Sequence, residues 1–514
     1  MTTSFAIRLF KDTYLDSVLQ MSGTRVLEES AGVIWGSSAM ATPANIEELV
    51  LRGFPAQDLE GAKPGDLFIA VEAGDEDAAL GAAERAEAAV FSSRRAAMTG
   101  AEEAPISLDQ ALRLQPSANI AIISVPGDYA ALEANKALGR GLDVLLFSDN
   151  VSRADEIALK DHAAARGRLV MGPGAGTAML AGVGLAFANV VSPGPVGVIA
   201  AAGTGAQEAM ALLDRWGVGV SQVIGLGGRD LNEDIGGRMA ALAIQALKGD
   251  PKTEIILFVS KPPAPQVAKY VMSLADGIPM VAAFMGVDLE MAAPPGVVIA
   301  DTLEGGVLRT MELLGRGTPD PWVTHGPTIA EAIDRLPAER TLLRGLFSGG
   351  TLCYEALVLL AKTYPLPVYS NTPIDKSLSL PAPDGSSVLL DLGEEEYTKG
   401  RPHPMIDPMA RIEQLEEAAA DPRVGVILLD VVLGYGAHPD PAGVLVPIVS
   451  AIMADGGPQV VAYVLGTDKD PQNFAAQVAK LVDAGCLVAE TNAGAAIAAG
   501  AIASRDRAKR SLSL

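Results

Sequence analysis

The chain has 514 residues, of which 49% are hydrophobic and only 4% aromatic, and its net charge is −23. This length predicts three or four domains with large aliphatic cores. The negative charge argues against nucleic acids and anionic membranes as partners, because like charges repel, although it leaves room for a local anion site built from backbone amides.

We expect neither an export signal nor a membrane span in this sequence. Its first residues, MTTSFAIRLFKDTY, lack the long apolar segment of a signal peptide. The stretch 172–207 is uncharged, but Pro193-Gly194-Pro195 interrupts it and its apolar parts have the length of strands. Two cysteines, Cys353 and Cys486, give no disulfide framework and fit a reducing compartment, so we expect a cytoplasmic protein.

Residues 1–115 are predicted to form a small α+β domain. Apolar runs indicate three strands and two helices, and the polar run 92–105 predicts a linker or exposed loop. From 116 to 193, strands and helices alternate, which is typical of a parallel, doubly wound, Rossmann-like layer. Gly174-Ala175-Gly176 lacks the full dinucleotide-binding glycine pattern and is interpreted as a turn.

The next unit, 194–325, contains a candidate anion site. Val196 to Ala200 reads as a buried strand, Gly203-Thr204-Gly205 as a tight turn, and the following residues as a helix. The first amides of a helix have no partner inside the helix, and the helix dipole favours negative charge there. The turn therefore predicts phosphate binding, with an ordinary βα turn as the alternative.

A second copy of this pattern lies in the last unit, 326–514. Gly350-Thr351 and Glu355-Ala356 repeat Gly203-Thr204 and Glu208-Ala209 in register. A repeat of this size predicts two related α/β units, each with its own anion-binding helix start.

Candidate site residues come from the carboxyl ends of the predicted strands, where ligands gather in open α/β sheets. His438, in a glycine-rich loop, is a candidate general acid or base, and a loop histidine without a role is the alternative. His403 lies in another loop that could approach the same site. The predicted catalytic residues are His438, Glu208 and Glu355, and the predicted phosphate-binding residues are Gly203, Thr204, Gly205, Gly349, Gly350, Thr351, Gly434 and Gly436.

No cluster of His, Cys and carboxylates shows the spacing of a metal site.

These motifs resemble succinyl-CoA synthetase. The segment from about 119 to 287 is similar to its α subunit, whose SGT-x-x-x-EA helix start and GGD loop match Ala202-Gly203-Thr204, Glu208-Ala209 and Gly227–Asp230. From Asp391-Leu392-Gly393 onward the chain resembles the carboxy-terminal domain of the β subunit. The order of the whole chain is that of the FdrA family of acyl-CoA-synthetase-like proteins, and the amino-terminal stretches 14–21 and 39–45 support that family.

The resemblance implies a multidomain α/β fold: a small α+β domain at 1–115, a Rossmann-like coenzyme-A-type domain at 116–193, and two flavodoxin-like ligase domains at 194–325 and 326–514. In the synthetase the glutamate that matches Glu208 orients a phosphohistidine. Here Ala293–Val297 takes the place of the histidine motif and contains no histidine. The glycine-lysine loop that holds coenzyme A has no match in 1–115, and no ATP-grasp domain is evident.

For function, the resemblance implies a subunit of oxamate carbamoyltransferase, which acts with other subunits in allantoin breakdown. The reaction would be phosphorolysis of N-carbamoyl-2-oxoglycine to oxamate and carbamoyl phosphate. The expected ligands are therefore phosphate or carbamoyl phosphate and a small-molecule substrate, with coenzyme A implied only by the synthetase. An acyl-CoA synthetase of the succinate type and a non-catalytic scaffold subunit are the alternatives.

Overall fold

The computed structural model describes residues 3–13, 15, 17–28, 30–91, 105–287, 292–364, 366–398, 402–454 and 456–507. The predicted linker at 92–105 lies outside these ranges except for its last residue. The chain divides into two compact units, Met1–Gln115 with Thr398–Pro402, and Pro116–Tyr397 with His403–Leu514. The predicted fold class is confirmed: parallel strands dominate the larger sheets, and the amino-terminal sheet is antiparallel.

The first unit contains a three-stranded sheet in the order β1-β3-β2. Helix α3 begins after Asp75, whose side chain accepts a hydrogen bond from the Ala78 amide. Small alanine side chains on one face of α3 allow it to pack closely on the sheet. The elements are β1 (Ser4–Phe10), α1 (Ser17–Glu28), β2 (Val33–Met40), α2 (Pro43–Leu51), β3 (Leu67–Ala73), α3 (Glu76–Val90) and α4 (Leu108–Leu114).

The second unit begins with a three-stranded parallel sheet, β4-β5-β6. Its elements are β4 (Ile120–Ile123), α5 (Gly127–Gly139), β5 (Asp143–Leu146), α6 (Arg153–Ala164) and β6 (Val170–Met171). The hairpin of β7 (Thr177–Leu180) and β8 (Val183–Ala186) instead forms an antiparallel edge of the following sheet, where Met179 lies opposite Val223. The domain boundary at 193/194 stays a prediction. The hairpin precedes this boundary in the chain, although its strands belong to the sheet that follows the boundary.

The following seven-stranded sheet has the order β13-β12-β11-β9-β10-β7-β8. Its strands from β13 to β10 are parallel, as the sequence pattern predicts. The elements are β9 (Pro193–Ala200), α7 (Gly203–Arg215), β10 (Val220–Gly225), α8 (Arg238–Gly249), β11 (Ile255–Ser260), α9 (Pro265–Ser273), β12 (Met280–Phe284), β13 (Val297–Ala300) and α10 (Leu303–Leu313).

The last sheet has the order β14-β20-β19-β18-β15-β17-β16, with β14 antiparallel to β20. Its strands are β14 (Thr324–His325), β15 (Leu342–Phe347), β16 (Val368–Ser370), β17 (Ser387–Asp391), β18 (Val424–Val432), β19 (Gln459–Leu465) and β20 (Leu487–Ala489). Its helices are α11 (Ile329–Arg335), α12 (Gly350–Thr363), α13 (Glu395–Thr398), α14 (Met409–Ala420), α15 (Pro441–Ala454), α16 (Phe474–Asp483) and α17 (Asn492–Ala503).

The two seven-stranded sheets share one topology. The run β13-β12-β11-β9-β10 in the first corresponds to β20-β19-β18-β15-β17 in the second, and each central strand, β9 or β15, leads into a glycine turn and a helix. The internal repeat read from the sequence is therefore a repeat of structure.

Helix α17 lies at the centre of the apolar core that both repeats share. All twelve of its residues are buried, and none of them is charged. Small side chains permit such complete enclosure. A Cβ atom built on Gly500 would lie 2.5 Å from Cδ2 of Tyr364 and 2.7 Å from Cδ2 of Leu360.

Substitution of Gly500 by alanine should therefore destabilise the fold, because overpacking costs about 1–3 kcal/mol and exceeds the gain in helix propensity. The matched control is Gly139→Ala at the end of α5, where a Cβ atom would meet nothing within 4 Å. Thermal melts should show a lower Tm for Gly500→Ala and an unchanged or higher Tm for Gly139→Ala. Equal melts for both variants would contradict the close packing of α17.

Candidate functional site

The two predicted phosphate-binding turns lie against each other. The Thr351 amide donates a hydrogen bond to Oγ1 of Thr204 over 3.3 Å. A Cβ atom built on Gly205 would lie 2.9 Å from Cγ2 of Thr351, so glycine is needed for this approach. Both threonines are buried. The fold thus joins the starts of α7 and α12, which are 147 residues apart in the chain.

The start of α7 offers free hydrogen-bond donors. Its cap residue, Ala202, provides no side-chain hydrogen bond. Within the ranges that the structure describes, the amides of Gly203, Thr204 and Gly205 have no acceptor. The Thr204 hydroxyl accepts from Thr351 and keeps its own proton for a ligand. Ala202 and Gly203 are partly exposed, whereas Thr204 and Gly205 are buried, so the turn is open to solvent at its first residues.

The start of α12 is different, because an internal carboxylate binds there. The amide and hydroxyl of Ser348 donate to Oδ1 of Asp430 over 2.8 and 2.9 Å, and the Gly349 amide donates to Oδ2 over 2.7 Å. Asp430 is fully buried and forms an ion pair with buried Arg411 over 2.8 Å. The amides of Gly349 and Thr351 therefore have internal acceptors, which is at odds with their predicted role in phosphate binding.

A second carboxyl group, Asp391, ends β17 beside the same helix start. Its Oδ1 accepts a hydrogen bond from the Gly393 amide over 3.0 Å, and its Oδ2 lies against Gly350, the first residue of α12. Burial raises the pKa of Asp391 to about 7, although the ammonium of Lys261 acts in the opposite direction. Asp391 and Lys261 were not among the residues singled out from the sequence.

His403 lies next to Asp391. Its Nε2 is 2.8 Å from the position that a Cβ atom on Gly393 would take, and its Nδ1 accepts a hydrogen bond from the Met405 amide over 3.2 Å. Burial lowers the pKa of His403 to about 4, with Asp430 opposing and Arg411 reinforcing that shift. The imidazole is therefore neutral at physiological pH and is a weak proton donor.

Gly434 and Gly436 serve close packing. Both have positive φ angles, of 112° and 84°. A Cβ atom on Gly434 would lie 2.6 Å from the Ala188 carbonyl oxygen, and one on Gly436 would lie 2.7 Å from the Phe187 ring. These contacts explain the glycines without a ligand, so the predicted role of both residues in phosphate binding lacks support.

His438 is half-buried on the same loop. Its amide donates to the Met405 carbonyl over 2.8 Å, which brings the two histidine-bearing loops side by side. Its Nδ1 accepts from the Asp440 amide over 3.0 Å, so the neutral ring carries its proton on Nε2. Its role in proton transfer stays a prediction.

Glu208 and Glu355 lie between the two repeats. Glu208, on α7, accepts from the Tyr463 hydroxyl and from the backbone of Asn492 at the start of α17. Glu355, on α12, accepts from the Leu303 amide at the start of α10 over 2.6 Å and from the Asn492 side chain over 2.8 Å. Each glutamate thus stabilises a helix start in the other repeat.

This burial speaks against the predicted catalytic role of the two glutamates. Each is only 1% exposed, and its partners are internal. Burial raises the pKa of Glu208 to about 8, and the charge of Glu355 adds to the shift. Burial also raises the pKa of Glu355. The geometry supports a structural role for both, while catalysis by either stays an untested prediction.

The raised pKa of Glu208 predicts a pH-dependent stability. Between about 4.5 and 8 the folded protein keeps a proton that the unfolded chain releases, so stability falls as pH rises, by at most about 1.4 kcal/mol per pH unit. Glu208→Gln resembles the protonated acid and lacks this dependence. Its Tm relative to wild type should therefore increase from pH 5 to 8 and then level off.

The matched control is Glu254→Gln, since Glu254 is exposed. Its Tm difference from wild type should stay constant over the same pH range. A Glu208→Gln variant whose relative Tm is also independent of pH would show that Glu208 is ionised when buried.

An open cleft of about 620 Å³ lies at the carboxyl ends of β5, β10 and β11. Its lining shows whether coenzyme A could bind there. It is lined by Arg153, Asn232, Glu233, Asp234, Pro262, Pro263 and Ala264. Arg153, the only cation among these seven, is paired with Asp234 over 2.9 Å. The phosphates of coenzyme A are best bound by unpaired cations, whereas this lining has one paired cation and the two carboxylates of Glu233 and Asp234, so these residues do not fit that cofactor.

Comparison with known proteins places the chain in a family. Residues 346–502 match the family model CoA-ligase, and residues 1–105 match the model AllF, heavy metal-associated domain. The chain is 40% identical over 508 residues to the uncharacterized protein YahF of Escherichia coli (strain K12), covering 96% of this chain and 97% of YahF.

Part of the chain also matches succinate–CoA ligases. It is 27% identical over 191 residues to the α subunit of the ADP-forming enzyme of Aquifex aeolicus, which covers 35% of this chain and 60% of that subunit.

Similarity to solved structures is weak. The PH0766 structure from Pyrococcus horikoshii is 16% identical, with a TM-score of 0.31, and the match covers 79% of this chain and 87% of that one. The dinucleotide-forming acetyl-coenzyme A synthetase 1 of Ca. Korarchaeum cryptofilum is 17% identical, with a TM-score of 0.31, and covers 75% and 83%. Likeness at this level carries no functional argument.

The name of the amino-terminal model raises the question of a heavy metal. Residues 1–105 contain neither cysteine nor histidine, the ligands that soft metal ions prefer. Within the described part of the chain, no group of three or more His, Cys, Asp or Glu side chains could hold a metal ion. These residues do not fit a heavy-metal site.

Among the helices that the structure describes, none is long and apolar enough to cross a bilayer. The matches cover both ends of the chain and follow the order amino-terminal AllF domain, then CoA-ligase domain. The 40% identity to YahF extends along almost the entire length of both proteins. The chain therefore belongs to the FdrA family of acyl-CoA-synthetase-like proteins.

Proposed function

We propose that the chain is a subunit of a carbamoyltransferase that uses phosphate to cleave N-carbamoyl-2-oxoglycine into oxamate and carbamoyl phosphate. The observation that carries the proposal is the start of α7, where three amides without acceptors and the Thr204 hydroxyl converge. Such a site suits a free phosphate ion. The amino-terminal match to AllF and the family membership support the same assignment.

The reaction needs phosphate as a nucleophile rather than as a group carried by the enzyme. An oxygen of HPO₄²⁻ attacks the carbamoyl carbon, and the bond between that carbon and the amide nitrogen of oxamate breaks. The proton of HPO₄²⁻ ends on this nitrogen, so atoms and charges balance. The amides of α7 hold the negative charge of phosphate and fix its orientation, which lowers the entropic part of the barrier.

No phosphohistidine is needed for this reaction, and the sequence offers none at the position where the resemblance places it. Residues 293–297 read Ala-Pro-Pro-Gly-Val. We propose that other subunits complete the enzyme, and that the substrate is a small carboxylate-bearing amide.

A CoA ligase is the second candidate, because residues 346–502 match the CoA-ligase model and part of the chain matches succinate–CoA ligase α subunits. That activity needs a phosphoryl carrier and a coenzyme A site. Residues 293–297 lack the histidine that would carry the phosphoryl group, and the cleft around Arg153 does not fit coenzyme A.

The two candidates separate in one set of assays. The protein isolated from its host with its bound subunits should form carbamoyl phosphate from oxalurate (N-carbamoyl-2-oxoglycine) and phosphate. The purified single chain should form no thioester from succinate, coenzyme A and ATP. ATP-dependent thioester formation, without carbamoyl phosphate in the assembled protein, would contradict the proposal and favour the ligase.

Phosphate binding at α7 can be tested on the single chain. Gly205→Ala places a Cβ atom 2.9 Å from Thr351 and 3.0 Å from Cγ1 of Val259, so it should separate the two helix starts and weaken phosphate binding at least ~10-fold by calorimetry. Gly249→Ala, at the end of α8, is the control, since its Cβ atom would meet nothing within 4 Å. Unchanged phosphate affinity in Gly205→Ala, with a normal melt, would show that phosphate does not bind at this site.

A further inference from the structure

Asp391 has an oxygen atom that the protein itself does not use. The side chain is only 3% exposed, and its Oδ1 accepts from the Gly393 amide. Within the described ranges no group donates a hydrogen bond to Oδ2, which lies against Gly350 at the start of α12. Oδ2 is not among the fully enclosed side-chain atoms without a partner, so this oxygen can accept a hydrogen bond or a proton from a ligand.

Lys261 approaches the same place from the other repeat. It follows β11 directly and is half-buried, and its Nζ lies 5.5 Å from the centre of the Tyr354 ring on α12. Among the described residues, Nζ has no ion pair and no hydrogen bond. Pro262 and Pro263 follow it and restrict the backbone that carries it.

The ammonium of Lys261 lies near the amino-terminal end of α12, which is the positive end of the helix dipole. A cation near the positive end of a helix dipole is unfavourable, whereas an anion there is favourable. Asp391 does not neutralise Lys261 through an ion pair, because no oxygen of Asp391 lies within 4.0 Å of Nζ. An anionic group of a substrate would satisfy both the ammonium and the helix start.

We propose that Asp391 transfers the proton from phosphate to the leaving nitrogen, and that Lys261 binds the carboxylate of the 2-oxo amide beside it. This inference rests on the proposed phosphorolysis and names the groups that carry it out. It assigns proton transfer to Asp391 in place of His438, and it makes Lys261 the residue that selects a carboxylate-bearing substrate.

The proton balance is simple. The Asp391 carboxylate accepts the proton of HPO₄²⁻ as the phosphate oxygen attacks the carbamoyl carbon. The resulting carboxyl group donates that proton to the oxamate nitrogen as the carbon–nitrogen bond breaks, and Asp391 returns to its starting state. A group that both accepts and donates must titrate near the working pH. The pKa of about 7 that burial gives Asp391 meets this requirement.

The position of Asp391 is compatible with this transfer. The Thr351–Thr204 hydrogen bond joins the α12 start, where Asp391 lies, to the phosphate-binding start of α7. The charged and titratable groups that face Asp391 or its immediate neighbours are Lys261, Glu394, Asp430, Cys353, His403 and Arg411. Asp430 is already bound by Arg411 and two backbone amides, and His403 is neutral.

The test uses the assembled enzyme with oxalurate and phosphate. Asp391→Asn should lower kcat by roughly 10²–10⁴-fold with a normal melt, whereas His438→Ala should lower it less than ~10-fold. Lys261→Met should raise KM for oxalurate roughly 10–100-fold, and Lys261→Arg should restore most of the loss. The controls are Asp384→Asn and Lys269→Met, both exposed residues.

The pH profile separates catalysis from a structural role. In wild type, kcat should rise as the pH passes about 7, because Asp391 must be ionised to accept the proton. Thiophosphate loses its second proton at lower pH than phosphate. If Asp391 causes the rise in kcat, the pH at which kcat rises should be the same with thiophosphate as with phosphate. A step that moves with the nucleophile, or Asp391→Asn with wild-type kcat, would overturn the role of Asp391.

The role of Lys261 has its own readouts. The uncharged amide of oxalurate should be a poor substrate of wild type and should lose nothing further in Lys261→Met. Oxamate binding to the single chain, measured by calorimetry, should weaken at least ~10-fold in Lys261→Met and stay unchanged in Lys269→Met. Equal oxamate affinity in both variants would overturn the carboxylate contact.

Failure of the proposed function would look different. If the assembled wild type made no carbamoyl phosphate, the phosphorolysis and with it the proton transfer by Asp391 would be wrong. Weakened oxamate binding in Lys261→Met would still support an anion contact at this residue.

Discussion

Two buried glutamates that cross between the repeats determine the geometry of the site. Glu208 reaches from α7 to the start of α17, and Glu355 reaches from α12 to the start of α10. Together with the fully enclosed α17, they hold the two repeats in one apolar core. The starts of α7 and α12 consequently meet at the Thr351–Thr204 hydrogen bond, and in the proposed reaction this contact would give phosphate and substrate defined positions relative to each other.

One of the differences between the repeats determines whether an internal carboxylate occupies the helix start. In the second repeat, Asp430 follows Leu429, which lies opposite Leu346, and its carboxylate accepts the amides before α12. In the first repeat the corresponding position next to β9 is Val259, opposite Ala200. An apolar side chain there leaves the α7 amides without an internal anion, so the same turn is closed in one repeat and open in the other.

The sequence predicts the fold better than the site. Short apolar strands, the glycine turns and their repetition indicate two related α/β units, and the structure has them. The sequence does not indicate that Glu208 and Glu355 cap helices of the opposite repeat, because that depends on how the two sheets pack. Gly434 and Gly436 look like ligand contacts, yet backbone crowding by Phe187 and Ala188 explains them.

The missed residues have weak local signals. Asp391 is the last residue of β17, and Lys261 directly follows the last residue of β11. Only the order of the strands in the two sheets brings both side chains to the start of α12. Asp430 had a clearer signal, since a single carboxylate inside a nine-residue buried strand requires an internal partner. Arg411, which supplies it, lies 19 residues away on α14.

We expect phosphate to bind at the start of α7 and not at the start of α12. A crystal structure of the protein grown with arsenate, a phosphate analogue located by its anomalous scattering, tests this directly. We expect an arsenic peak within hydrogen-bonding distance of the amides of residues 203–205, with Asp430 still bound to Ser348 and Gly349. A peak at the start of α12 that displaces Asp430, or a vacant α7 start at saturating arsenate, would contradict it.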